Sequence, residues 1–364
     1  SKNISKNLFT NSDSSFLSQA IIKLQAGDDM DIISELILVC EQLSLASDQI
    51  GDNPNMPKLL EEVCKNLEKI YLPELVIYSL QCINYILDIN PGMTSVLKRT
   101  NTIPKIISII SAMEDTSCLE SIVSVFEKIS YENSLLLLEN NVFLNMLNVI
   151  DFLATPQRKS IMKIVQNISA NIMTNKQYEM YILPAMENLY YLSKYSDENM
   201  YITEKAIAVY FNILFNLKQG CYFNNNPELE NSFNKYNFME NYCDILKKYF
   251  FENNKKINAD LVRKILKIIY MIFNVSKKGT DKLLSLNILE IIVQIIHHEF
   301  NETVSTSSTI LSTNNNDINN ENNNANNNIN TAKSSASFLT ELFSMLIALF
   351  PSNKNTLNKF LEND

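Results

Sequence analysis

Few residues in this chain could do acid–base, nucleophilic or metal chemistry. Its two histidines, His297 and His298, are adjacent. Neighbouring positions on a helix point about 100° apart, so the pair cannot close on one metal ion. Any Ser-His-Asp or Cys-His arrangement would have to be built from these two alone. They read instead as imidazoles on the last turn of a helix, where positive charge suits the dipole. The six cysteines are Cys40, Cys64, Cys82, Cys118, Cys221 and Cys243, and none belongs to a C-x-x-C pair. Spread singly among apolar residues, most of them read as reduced core positions rather than a zinc site or a disulfide framework. Carboxylate pairs such as Glu61-Glu62 and Asp28-Asp29 are common on solvated helix edges and mark no acid–base site. No G-x-S-x-G, H-E-x-x-H or EF-hand loop occurs, and the five glycines (Gly27, Gly51, Gly92, Gly220, Gly279) are all isolated, so no phosphate-cradling loop can form. The expectation is a chain with no catalytic residue, no cofactor and no metal site of its own.

The bulk composition narrows the partners. Lys and Arg number 31 against 40 Asp and Glu, a net charge of −9, which repels phosphate backbones. The densest basic stretches, Lys247-Lys248 and Lys255-Lys256, are short and read as solvated helix edges, so no nucleic-acid partner is expected. No apolar run reaches the ~18 residues of a membrane span. The richest, Ile288 to Ile296, is broken by Glu290 and Gln294, and no membrane partner is expected. Neither a charged n-region nor an apolar h-region opens the chain. With the thiols read as reduced, the expected location is the cytoplasm, the nucleus or both. The first residue is Ser1 rather than Met, which reads as a piece of a longer protein.

What could position functional residues here is helix. Only five Gly and nine Pro occur in 364 residues, far too few tight turns for a sandwich or a doubly wound sheet. Ile32, Ile33, Leu36, Val39, Cys40 and Leu43 follow the i, i+3, i+4, i+7 pattern of an amphipathic helix, as do Ile161, Ile164, Val165 and Ile168. Pro73, Pro104 and Pro156 sit where helices would begin. Five segments align with one another: INYILDIN from Ile83, FEKISYEN from Phe126, VQNISANI from Val165, YFNILFNL from Tyr210 and IYMIFNVS from Ile269. A second element stays in phase, placing Ile103, Phe143 and Leu183 at matching points forty residues apart. A period of ~40–47 residues is that of armadillo and HEAT units. The predicted fold is all-α, an armadillo/HEAT-like α-α superhelical solenoid built from pairs of long helices.

The predicted organisation is a flexible segment over 1–15 and a repeat array over 16–300, with an insertion at about 219–236. An Asn-rich insertion over 301–337 is too polar to order itself, and a helix pair over 338–364 closes the array. In an armadillo array the last helix of each unit lines a concave groove. If the Ile103, Phe143 and Leu183 helices take that part, a polar stripe at i, i+3, i+6 runs through Lys105, Ser108 and Ser111. It continues through Asn145, Asn148 and Asp151, then Ala185, Asn188 and Tyr191. Lys105, Ser108, Asn145, Asn148, Asn188 and Tyr191 are the candidate groove residues, with Ser108, Asn148 and Asn188 in one column able to hydrogen-bond an extended partner. The chain has no Trp. That sets it apart from the nuclear-import adaptors of the armadillo class, which read basic peptides with paired Trp and Asn arrays.

The text from Leu24, LQAGDDMDIISELILVCEQLSLASDQIGD, resembles the opening armadillo-like segment of HECT-type E3 ubiquitin ligases of the ubiquitin-fusion-degradation and thyroid-receptor-interacting class. The match falls on Leu24, Gln25, Ala26, Asp28, Asp29, Glu35, Cys40, Gln42 and Leu43. Residues 79–110, with Pro91 and Ile103-Pro104, resemble that family's second unit. TPQRKSIMKIVQNISAN from Thr155 is similar to a further segment, keeping Gln157, Arg158 and Asn167. The likeness covers roughly residues 16 to 220. The Asn-rich insertions depart from the family, as does Val165-Gln166 where it carries small residues. The resemblance implies a parent chain ending in a catalytic HECT domain, whose thioester-forming Cys is none of the six here, and which meets a ubiquitin-conjugating enzyme. It implies for this region recruitment of an acceptor, a protein substrate or ubiquitin itself, which is held near the catalytic centre. A non-enzymatic armadillo adaptor, scaffolding trafficking or cytoskeletal partners, is the alternative.

Overall fold

The computed structural model describes residues 15–45, 48–112, 117–196, 198–219, 235–251 and 259–298, with single positions at 231 and 340. The N-terminal segment 1–14, most of 219–236, the Asn-rich insertion 301–337 and the expected closing helix pair over 338–364 lie outside these residues, Thr340 excepted. Among the described residues the structure is helical and holds no strand. In chain order the helices are α1 (15–26), α2 (Asp29–Ser44), α3 (Met56–Lys65), α4 (Pro73–Ile89), α5 (Thr94–Arg99), α6 (Thr102–Ala112), α7 (Ser117–Glu139) and α8 (Val142–Val149). They continue with α9 (Thr155–Ser169), α10 (Asn175–Gln177), α11 (Met186–Ser193), α12 (Met200–Gln219), α13 (Phe238–Phe251), α14 (Ala259–Val275), α15 (Lys277–Ser285) and α16 (Ile288–His298).

The ends of these helices follow local chemistry. The Asp28 carboxylate caps α2 by accepting from the amides of Met30 and Asp31, both at 3.0 Å. Proline opens α4 and occupies the first turn of α3 and of α9, where its missing N–H leaves no bond unmade. Thr174 and Gln177 form a reciprocal capping box at α10. α7 contains a break at Asn133, whose backbone leaves the helical region (φ −151°, ψ 68°). The Asn133 side chain accepts from the Leu136 amide at 3.1 Å, so it starts the last turns of α7 as a cap would.

The chain divides into two compact units, 1–192 and 193–364. In the first, the long helices α2, α4, α7 and α9 pack one against the next, and α3, α5, α6 and α8 fill in beside them. In the second, α12 packs along α14, and α14 also meets α13 and α15. The five aligned segments all fall on long helices. Their leading residues Ile83, Phe126, Val165, Tyr210 and Ile269 are almost wholly buried. Each such residue contributes roughly 1.5–3 kcal/mol by leaving water.

The repeat unit differs in one respect from the predicted pair of long helices. It is a short, an intermediate and a long helix, as in α5, α6 and α7. α5 spans only six residues, too few to show a 3.6-residue period in the sequence. The Ile103 and Phe143 helices, α6 and α8, are therefore middle helices followed by α7 and α9, rather than the last of their units. A left-handed asparagine precedes the middle helix: Asn101 (φ 51°) before α6 and Asn141 (φ 57°) before α8. Asn237 (φ 48°) and Asn287 (φ 56°) stand likewise before α13 and α16. Asn is the residue besides Gly that visits this region most readily, which is how the array manages with so few glycines.

Candidate functional site

Two consecutive long helices, α4 and α7, enclose an open pocket of about 450 Å³. Gln81, Asn84, Tyr85 and Asp88 come from α4, and Glu120, Ser121, Ser124 and Lys128 from α7. Gln157 reaches in from the first turn of α9. Residues i, i+3, i+4 and i+7 share one helical face, so α4 offers one polar stripe to the groove while Ile83, Ile86 and Leu87 point into the core.

Hydrogen bonds hold the groove walls together. The Asn84 amide donates to the Ser121 carbonyl at 3.1 Å. The Lys128 ammonium donates to Asn84 twice, to its carbonyl at 3.1 Å and its Oδ1 at 3.0 Å, and pairs with Asp88 at 2.9 Å. All three of its protons are thus directed, which fixes a flexible side chain against α4. The next step of the array repeats the device. Lys163 pairs with Glu127 at 2.9 Å, Asn167 donates to Ser130 Oγ at 2.9 Å, and Asn171 donates to Ser134 Oγ at 2.6 Å. Burial favours the neutral form of Glu127, but hydrogen bonds from Ser160 and Lys163 and the nearby Lys128 charge outweigh it. The carboxyl is held below its ordinary value. Against these satisfied groups, the Gln157 Oε1 is shielded from solvent and accepts no hydrogen bond within the protein.

The residues singled out from the sequence lie on the neighbouring layer. Lys105 pairs with Glu68 at 2.7 Å. Ser108 donates back to the Pro104 carbonyl of its own helix at 3.0 Å, and Asn145 donates to the Asn141 carbonyl at 2.8 Å. Asn188 donates to Asn148 Oδ1 at 3.0 Å, so two members of the column meet. Tyr191 is exposed beside Tyr190, ring centres 5.6 Å apart. The α4–α7 groove was not singled out from the sequence, although Asn84 and Asn167 stand at nearby points in two of the aligned segments, and that was the available signal. In the second unit His298 lies edge-on to Phe250 at 5.4 Å. Among the described residues no three His, Cys, Asp or Glu side chains gather in a way that could hold a metal ion.

No known family model matches the chain, and no curated protein sequence matches it. Solved structures do resemble it. An engineered protein from a structural genomics programme aligns at a TM-score of 0.50 and 12% identity, covering 69% of this chain and 96% of its own. A second aligns at 0.50 and 8% identity, covering 76% and 72%. A designed armadillo repeat protein aligns at 0.47 and 16% identity, covering 69% and 97%. At such identities the likeness concerns fold alone. The order and packing of its own helices make the described part of the chain an all-α, armadillo/HEAT-like α-α solenoid.

Proposed function

We propose that this chain is a protein-recognition scaffold whose α4–α7 groove takes an extended segment of a partner. The observation that carries this reading is the open groove, with the Gln157 carbonyl oxygen unsatisfied at its end. An extended peptide presents free backbone N–H and C=O groups. A turn of the Gln157 side chain brings its shielded Oε1 out to accept from one such N–H, and the remaining polar side chains of the walls supply further partners. Because Asn84 and Lys128 are already locked to each other, little side-chain freedom is lost on binding, which favours affinity for a given contact area.

The resemblance in residues 16–220 adds a context: the substrate- or ubiquitin-recognition region of a HECT-type ubiquitin ligase, with transfer performed by a catalytic domain elsewhere in the parent protein. In that role the groove supplies position, and the rate gain comes from holding an acceptor near the thioester. What supports this context is the matched residues alone, and a non-enzymatic adaptor would use the same groove. Sequencing the parent transcript on both sides of this region discriminates the two, since the ligase reading requires a HECT domain.

The test of the groove is titration of the chain with mono-ubiquitin, linked ubiquitin dimers and a library of extended peptides, followed by NMR on the labelled ligand. Saturable binding by any of these ligands that weakens about tenfold or more in Gln157→Ala supports the groove reading. Ubiquitin binding of this kind supports the ligase context as well. Binding that survives Gln157→Ala but is lost when charge is introduced as Asn148→Lys and Asn188→Lys would move the site to the α6–α8 layer.

A further inference from the structure

Cys40 of α2 and Cys82 of α4 stand one repeat apart in sequence, and the packing of α2 along α4 brings them together. The two thiols are near enough for each to shift the other's ionisation. Cys40 Sγ also donates to the Tyr78 carbonyl at 3.7 Å, one helical turn before Cys82, so Cys40 lies over the turn that carries its partner. Cys82 is fully enclosed, whereas Cys40 keeps 7% of its surface exposed. A thiol lying over the turn that carries another, across two packed helices, is placed to reach the bonding separation of a disulfide by side-chain adjustment. We propose that Cys40 and Cys82 form an oxidation site, at which a hydroperoxide converts the dithiol to a disulfide joining α2 to α4.

The roles of the two sulfurs follow from their surroundings. Cys40 is the less enclosed of the two, and the Cys82 thiol beside it lowers its pKa against the opposing effect of burial. Its sulfur attacks one peroxide oxygen, the O–O bond breaks, and the departing oxygen leaves as water after taking the thiol proton. The product is a Cys40 sulfenic acid. Cys82 then attacks that sulfur, the S–S bond forms, and the hydroxyl leaves as a second water with the Cys82 proton. Two thiols give up two electrons, one hydroperoxide accepts them, and for hydrogen peroxide two waters result.

The third thiol of this region is a poor competitor. Burial pushes Cys64 up to about 11, and Cys82 is raised too, by Cys40 beside it and by burial, so Cys40 is the thiol of the three that ionises most readily and meets peroxide first. The cross-link fixes the helix that supplies half of the groove, since Gln81 adjoins Cys82 and lines it.

The test is exposure of the folded chain to hydrogen peroxide, alkylation of the remaining thiols, and intact mass with a non-reducing peptide map. The expected result is a loss of about 2 Da before alkylation and one linked peptide pair, Cys40 to Cys82, released by dithiothreitol. In Cys82→Ser, dimedone should capture a sulfenic acid on Cys40. In Cys40→Ser, Cys82 should remain an unmodified thiol. The wild-type map decides the matter even if either variant folds poorly. A disulfide through any other cysteine overturns the proposal. So does a Cys40 carrying two or three oxygens beside an intact Cys82 thiol, or both thiols remaining alkylatable after peroxide treatment.

Discussion

The side-chain amide of Asn188 donates to Asn148 Oδ1 at 3.0 Å, joining two residues forty positions apart in sequence. The spacing is one repeat period, so the bond is a direct physical expression of the internal repetition. Both groups are near the surface, where water competes for them. The expected coupling between Asn148→Ala and Asn188→Ala in a double-mutant cycle is therefore below about 1 kcal/mol. Chemical denaturation of the two single variants and the double variant measures it. A coupling above about 2 kcal/mol would mean the pair anchors the layer rather than decorating it.

The left-handed asparagines make a sharper prediction. At Asn141 (φ 57°) a glycine relieves the conformational cost, whereas a β-branched residue is forced into a region it avoids. Asn141→Gly is expected to leave stability within about 0.5 kcal/mol of wild type, while Asn141→Val should lose roughly 1–2 kcal/mol. Thermal melts of the two variants decide it. Equal losses in both would show that the Asn141 side chain matters more than its backbone.

Gly51 is required for a different reason, close approach. A Cβ placed there would lie 2.8 Å from Ile89 Cγ2 and 3.2 Å from the Ile89 carbonyl oxygen. The Gly51 carbonyl also accepts from the Asn90 side chain at 2.9 Å, which holds the segment against the end of α4. Gly51→Ala should destabilise by about 1–3 kcal/mol through overpacking. An unchanged midpoint in urea would show that the loop yields freely.

Stability should fall in acid. Burial pushes the Glu62 carboxyl up, but hydrogen bonds from Lys65 and Gln25 overcome this and hold it below its ordinary 4.5. Glu127 is likewise held low. Hydrogen bonds from Lys105 and Lys69 hold Glu68 and Asp29 below their ordinary values. Carboxyls that bind protons less readily when folded make the unfolded chain the better proton acceptor. Their contribution is complete above the unfolded values and is lost as pH drops through the lower folded ones. The melting temperature should be nearly flat between about pH 6 and 7 and decline below about pH 4.5. Added salt should weaken the pairs, because at least one partner in each is partly exposed. A melting temperature that rises on acidification would contradict the assignment.

Much of the fold was legible in the sequence. The heptad-like stripes through Ile32 to Leu43 and Ile161 to Ile168, and the phase of Ile83, Phe126, Val165, Tyr210 and Ile269, are burial patterns written along single helices. A 3.6-residue period reports burial wherever one side of a helix meets a core. The first-turn prolines of α4 and α9 are equally local, since their effect depends on backbone geometry within one turn. The short helix α5 was not legible, because six residues cannot display a period.

The candidate site was only partly legible. Periodicity assigned a polar face to the helices at Ile103, Phe143 and Leu183, and Asn148 and Asn188 do meet on it. It could not say that α4 and α7 would enclose a groove between Asp88, Lys128 and Gln157. Nor could it bring Cys40 against Cys82, although the two are one repeat apart. An amphipathic pattern fixes which side of a helix avoids water, and that much the sequence determined alone. Which neighbour each helix packs against, and at what angle and offset, depends on side chains from both helices interlocking at once. That relationship between distant segments was decided only by the tertiary structure.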